Sequence, residues 1–208
     1  MGNVAPFTMQ EIYAANSCGM TRGEWVAEQR RKRGAIDVPA RFRGVSVDVG
    51  HYVDAVLGGG GLYLFGSFGT GKTATAYAVA SGVSAAGKRV EVSTFGQLLE
   101  AVRSARSYGS PDTERQAFER YCTPFMLMLD DLGKERPTSA NIADLWRVVD
   151  ERSKRALPIV ATSNYSLNAL EARLTEGDAT TAGAIASRLR EMCAQIPMLG
   201  ADMRAAVA

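Results

Sequence analysis

The stretch GSFGTGKT, Gly66 to Thr73, decides the reading of this chain. It satisfies G-x-x-x-x-G-K-[ST] at each constrained position. The glycines at 66, 69 and 71 let the backbone turn its N–H groups inward. Gly66, Ser67, Phe68, Gly69, Thr70 and Gly71 then form a concave cradle for phosphate, and the helix that follows points its positive end into it. Lys72 is placed to reach the β- and γ-phosphates, and the Thr73 hydroxyl to ligate Mg²⁺. A nucleoside triphosphate with Mg²⁺ is therefore the expected ligand. The flanks agree with this reading: LYLF, Leu62 to Phe65, is an apolar strand, and Lys72 to Ala86 is an alanine-rich helix.

Working outward, strand-like and helix-like segments alternate. Val49 to Leu57 reads as a helix and Arg89 to Ser93 as the second strand. Helices are expected over Phe95 to Ser107 and from about Thr113 to Tyr121, with a Gly/Ser/Pro break between them. Phe125 to Leu129 (FMLML) is a continuous apolar run, as a strand buried on both faces requires. Ser139 is placed to cap a helix with Ile142, Leu145, Trp146 and Val149 on its inner stripe. Pro158 to Thr162 is the next strand, helices follow near Leu167 to Leu174 and Ala184 to Met192, and Ile196 to Leu199 reads as a last strand. The alternation predicts an α/β fold, a parallel five-stranded sheet flanked by helices.

Three further motifs carry chemistry. FMLMLDD, Phe125 to Asp131, delivers acids from the C-terminal end of a buried strand, where open α/β sheets hold their ligands. Asp130 is the candidate Mg²⁺-side carboxylate. Asp131 is a candidate to polarise an attacking water, and Glu135 is a second candidate base. PIVATSN, Pro158 to Asn164, ends another apolar strand in a polar cluster, with Asn164 the best placed to sense the γ-phosphate. SRLR, Ser187 to Arg190, lies on a helix whose Ile185, Leu189 and Met192 face inward, which leaves Arg188 and Arg190 to project. An arginine supplied across a subunit boundary stabilises charge on a transferring phosphoryl group.

Composition excludes other classes. Hydrophobic residues make up 46% and charged residues 22%, ordinary for a globular protein. No apolar run approaches the roughly 20 residues that span a bilayer, and MGNVAPFTMQEIY resembles no secretory signal, so the cytoplasm is expected. Cys18, Cys122 and Cys193 have no zinc-ligand spacing, and His51 is the one histidine. Net charge is +2, but Arg30, Arg31, Lys32, Arg33, Arg41 and Arg43 gather in one stretch, suited either to solvent or to a phosphate or acidic partner. Arg103 and Arg106 share a helix face and Tyr108 follows them in a loop, a combination suited to a single nucleic-acid strand. Residues 1–35 read as a short basic extension, with a helix capped by Thr21 and Glu24, and residues 36–208 as the main domain. The prolyl stretch IDVPARFR, Ile36 to Arg43, reads as an extended linker.

The series IDVPARFRG, GSFGTGKT, LDDLGKE, TSN, ASRLREM and GADMR resembles the DnaC/DnaI-type helicase loaders and the related IstB-type transposition ATPases, a branch of the AAA+ ATPases. The resemblance runs from Ile36 to about Arg204. It implies that Lys72 and Thr73 bind ATP and Mg²⁺, that Asp130 and Asp131 form the acidic pair, and that Asn164 is the sensor. It implies that Arg188 acts on a neighbour's ATP in a ring or spiral of copies. It further implies ATP hydrolysis by a loader that places a replicative DNA helicase on single-stranded DNA. The alternative is delivery of a transposase to target DNA. A small-molecule kinase is a third reading, disfavoured because no arginine-rich lid is apparent. The chain departs from the loaders in its short N-terminal segment and in a minimal or missing C-terminal lid, so Arg204 receives no role.

Overall fold

The structure, a computed structural model, describes residues 36–43 and 47–200. The expected N-terminal extension, its capped helix, Arg30 to Arg33 and Arg204 lie outside those residues.

Among the described residues the α-helices and strands follow in chain order as α1 (Gly50–Leu57), β1 (Gly61–Phe65), α2 (Lys72–Ala85), β2 (Val90–Thr94), α3 (Phe95–Ala105), α4 (Glu114–Cys122), β3 (Met126–Leu132), α5 (Ser139–Lys154), β4 (Ile159–Ser163), α6 (Leu167–Thr175), α7 (Ala179–Met192) and β5 (Cys193–Pro197). The five strands form one sheet in the order β2-β3-β4-β1-β5. Every pairing is parallel. The chain leaves β1, crosses to the far edge at β2, and returns through β3 to insert β4 beside β1. The C-terminal ends of β1, β3 and β4 thus meet on one edge, beside the point where the strand order reverses.

Alternation along the strands explains the helices on both faces. Met126 and Met128 of β3, Val160 of β4 and Leu62 and Leu64 of β1 pack with Val56 of α1 and Ala76, Val79, Ala80 and Val83 of α2. Leu127, Leu129, Ile159, Ala161 and Tyr63 point the opposite way, into a core built by α3 to α7. A strand that buries both faces has no polar positions to spare, which is why β3 reads as an unbroken apolar run until its acids.

Element types match the sequence reading, and several boundaries move. Thr138, not Ser139, caps α5, its side chain accepting from the Asn141 amide. Helix α7 begins at Ala179, five residues before the expected Ala184, because Asp178 caps it through the Thr181 amide and hydroxyl. Strand β3 continues through both acids to Leu132. Strand β5 starts at Cys193, where its register with Gly61 of β1 begins, and it ends before Leu199. The stretch 36–43 is not wholly extended: Ala40–Phe42 make a 3-10 turn, and Phe42 stacks on Tyr77 of α2 with centroids 5.3 Å apart.

Arg152 is the largest fully buried side chain among the described residues. Its guanidinium donates to the carbonyls of Tyr121, Pro124, Phe125 and Pro158. It thereby gathers the entries to β3 and β4, opposite the edge that carries the acids. Burial pulls its pKa down to about 10, yet the charge persists at neutral pH. Replacing Arg152 with Met keeps the volume and abandons those carbonyls. Arg152→Met is expected to cost about 3 kcal/mol of unfolding free energy, because buried acceptors lose their donors. Urea denaturation of the variant against the parent measures it.

Candidate functional site: a phosphate loop and a shared carboxylate

The phosphate loop leaves β1 at Phe65 and enters α2 at Lys72. Gly71 caps α2 with φ of 85°, a left-handed conformation that glycine adopts without strain. Gly66 is required for a different reason: a Cβ there would lie 2.3 Å from the Met198 carbonyl oxygen. That close approach arises because the Met198 amide donates to the Phe65 carbonyl, extending the β1–β5 pairing to the loop. The Lys72 ammonium is folded back onto the loop, donating to the Gly66 carbonyl at 3.0 Å and the Ser67 carbonyl at 2.6 Å. The Thr70 hydroxyl donates to the Ser67 carbonyl. Phe68, at the tip, is 68% exposed.

Across the sheet edge, the Asp130 carboxylate is buried. The Thr73 hydroxyl donates to its Oδ1 at 3.0 Å. The Thr162 hydroxyl donates to the same oxygen at 2.5 Å. Burial pushes the Asp130 pKa up, partly offset by the Thr162 hydrogen bond, while the adjacent Asp131 charge raises it further. Thr73 and Asp130 offer hard oxygen donors at the mouth of a phosphate cradle. Mg²⁺ takes one or two such ligands from the protein and the rest from phosphate and water, so the pair fits that ion. Among the described residues no cluster of three or more acids, histidines or cysteines offers a self-sufficient metal site.

Asp130 and Asp131 sit on a β-bulge. Leu129 pairs with Ala161 and Leu132 with Ser163, so β3 spends one more residue than β4 over that span. Asp131 takes the positive φ of 58° that this requires. Its amide donates to Thr162 Oγ1 at 3.0 Å. Its carboxylate is half exposed, with Lys134 Nζ 3.5 Å away. Asn164 follows β4 immediately and is half buried, its side chain making no hydrogen bond among the described residues. Ser163 ties the β4 end to β3 by donating to the Leu132 carbonyl at 2.6 Å. Asp130 also lines a cavity of about 480 Å³ between the 36–43 stretch, α2 and β2, which includes Tyr77, Thr94 and Gln97.

The structure therefore brings Lys72, Thr73, Asp130, Asp131 and Asn164 to one edge. Thr162 belongs with them, although only the polar character of TSN hinted at it. The Glu135 carboxylate rests over Gly96, at the start of α3. Arg188 is half exposed on α7, where its Nη1 bonds Glu191 at 3.1 Å and its Nε lies 3.8 Å from Asp150. Arg190 does not project freely, since Glu171 and Asn168 of α6 hold it. Arg106 is likewise held, by Asp144 at 2.7 and 3.0 Å and by Glu114 at 3.2 Å. Arg103 is exposed, and Tyr108 is fully exposed.

A parallel sheet in the order β2-β3-β4-β1-β5 with this phosphate loop and acid pair defines a P-loop domain of the AAA+ type. A family model described as IstB-like ATP binding protein matches residues 56–207. The chain belongs to the IstB-like ATP-binding family. It is 29% identical over 152 residues to the replicative helicase loader DnaI of Bacillus subtilis (strain 168), an alignment covering 70% of this chain and 48% of that protein. The chain thus spans about half the length of the curated relative it matches. Among solved structures, DnaI superposes with a TM-score of 0.63 at 22% identity, covering 84% of this chain and 98% of that one. The DnaC helicase loader gives 0.62 at 21% identity, covering 77% and 99%. AMPPCP-bound DnaA from Aquifex aeolicus gives 0.59 at 18% identity, covering 74% and 47%. At these identities the superpositions speak for the fold.

The buried Asp130 charge has a cost that a cation relieves. Its pKa is raised by burial, so protonated Asp130 favours the nucleotide-free fold below the unfolded value, and that stability is lost as pH rises through the folded pKa and the carboxyl ionises. Asp130→Asn keeps an acceptor for both hydroxyls and removes the charge. The nucleotide-free variant is expected to melt at a higher temperature than the parent, and to lose the further rise that Mg²⁺ with ATP gives the parent. Thermal melts with and without Mg²⁺·ATP test both halves.

Proposed function

We propose that this protein binds and hydrolyses ATP as a loader of a replicative DNA helicase, acting on single-stranded DNA in DNA replication in the cytoplasm. The observation that supports the loader role is the likeness to the helicase loader DnaI across most of the chain. The site geometry supports the ATP chemistry. Lys72 exchanges the Gly66 and Ser67 carbonyls for phosphate oxygens. Thr73 and Asp130 hold Mg²⁺, which when bound neutralises charge on the β- and γ-phosphates. Asp131 orients the attacking water and accepts its proton, with its carboxylate turned outward by the bulge. Asn164 contacts the γ-phosphate side of that water. Glu135, aligned with α3, is the weaker candidate for the base.

Arg188 completes the site of a neighbouring copy. Its partners within the chain, Asp150 and Glu191, belong to α5 and α7 and not to the phosphate loop. Self-association into a ring or spiral then makes ATP an assembly signal. Arg103 and Tyr108 are the exposed candidates for a DNA strand; Arg106 supports their helix end through Asp144 and Glu114. The short basic extension, residues 1–35, joined to the ATPase domain from residue 36, is the segment assigned to the helicase.

A second reading, resting on membership of the IstB-like ATP-binding family, is an ATPase delivering a transposase to target DNA. ATP-dependent assembly on duplex DNA with no preference for single strands would select it. For the loader, phosphate release is expected to respond to single-stranded DNA, and the helicase of the same cell is expected to co-purify. No helicase association under any nucleotide condition would count against it.

Arg188→Ala is expected to keep ATP binding and lose hydrolysis by on the order of 10³-fold, the contribution of an arginine acting in trans. Mixing it with Lys72→Ala should restore turnover at mixed interfaces, as followed by phosphate release. Tyr108→Ala should weaken single-strand binding by about 1–3 kcal/mol, the contribution of one stacked base, in a fluorescence anisotropy titration.

A further inference from the structure

Thr162 makes two bonds that lead in different directions. Its hydroxyl donates to Asp130 Oδ1 at 2.5 Å. The same oxygen accepts from the Asp131 amide at 3.0 Å. Thr162 is fully buried, so neither bond has a competing water. The bulge gives both bonds their meaning. At a bulge the extra residue loses its place in the ladder, and here the register jumps from Leu129↔Ala161 to Leu132↔Ser163. The Asp131 amide falls in that gap and finds a side-chain hydroxyl in place of a strand carbonyl. Asp131 is held in a left-handed conformation, φ 58°, that a residue with a Cβ adopts at a cost. Lys134 meets Asp131 from within the following turn, and the Thr162 bond is the contact that reaches the Asp131 amide from the neighbouring strand.

We infer that Thr162 is a positioning residue that sets the two acids together, orienting Asp130 toward the cation through one bond and holding the Asp131 bulge through the other. A hydroxyl is the smallest group that can accept from an amide and donate to a carboxylate at once. Valine has the same shape and can do neither. A residue behind the ligands of a metal site commonly changes metal affinity or rate by roughly 10–100-fold.

The role rests on the ATPase reading, so the test includes a measurement that needs no turnover. Affinity for a fluorescent non-hydrolysable ATP analogue is measured in EDTA and across a Mg²⁺ titration for the parent, Thr162→Val, Thr162→Ala and Thr162→Ser. In EDTA all are expected to bind alike, because the Thr162 hydroxyl bonds Asp130 and Asp131 and not the loop carbonyls that hold the Lys72 ammonium; this also reports folding. With Mg²⁺, the hydroxyl-free variants should need roughly 10-fold more cation to reach the tight state, whereas Ser should follow the parent. In phosphate release, Val and Ala should lower kcat by roughly 10–100-fold with little change in KM at saturating Mg²⁺, and Ser should restore it. Should Val fail to fold, the Ala and Ser pair decides. A parent-like Mg²⁺ response in both hydroxyl-free variants overturns the inference. So does a Ser variant as impaired as Val, which would assign the effect to the methyl group. A parent that binds the analogue in a Mg²⁺-dependent way but releases no phosphate sinks the ATPase reading, and leaves the titration to judge Thr162.

Discussion

The site depends on one buried carboxylate oxygen. Asp130 Oδ1 receives hydroxyls from the first turn of α2 and from the end of β4, so three segments distant in sequence meet at a single atom. An ionised carboxyl buried at this depth is tolerated only when its oxygens are bonded. The requirement works in both directions. The hydroxyls lessen the cost of the charge, and the charge fixes where the hydroxyls sit. The phosphate loop, which leaves β1, is thereby locked to β3 across the intervening tip of β4.

The sheet order makes this meeting possible. Inserting β4 between β3 and β1 puts a polar tip between the acid and the phosphate loop. The apolar alternation of β1, β3 and β4 commits these strands to two cores, so their polar residues collect at the strand ends. At the opposite edge Arg152 gathers the incoming chain by its carbonyls. One buried cation thus organises the entries of strands whose exits are organised by a buried anion.

Much of this was legible in the chain. GSFGTGKT is a local motif, and its neighbours in sequence are its neighbours in space. FMLML announces a central strand because burial on both faces leaves no room for polar residues. What escaped reading depends on register or on distant pairing. The weight of Thr162 over Asn164 follows from a one-residue shift between β3 and β4, which no periodicity records. Arg152 sits in DERSKR, a stretch that looks like a solvated helix end until four carbonyls are found around it. Arg106 looks free beside Tyr108, but its acid lies on α5, 38 residues away. The first turn of α7 is rich in threonine, a weak helix former, and it is Asp178 that commits it.

The folded-back Lys72 carries a consequence for how ligand meets protein. Its ammonium already satisfies the loop's own Gly66 and Ser67 carbonyls, so arrival of a phosphate is a swap of acceptors rather than the filling of a bare charge. The free energy of that swap is a difference between two well-bonded states. A neutral or singly charged oxygen gains little by displacing those carbonyls, and a polyphosphate gains much. A preference for multiply charged phosphate is thus written into the loop's rest state, before any other part of the ligand is touched.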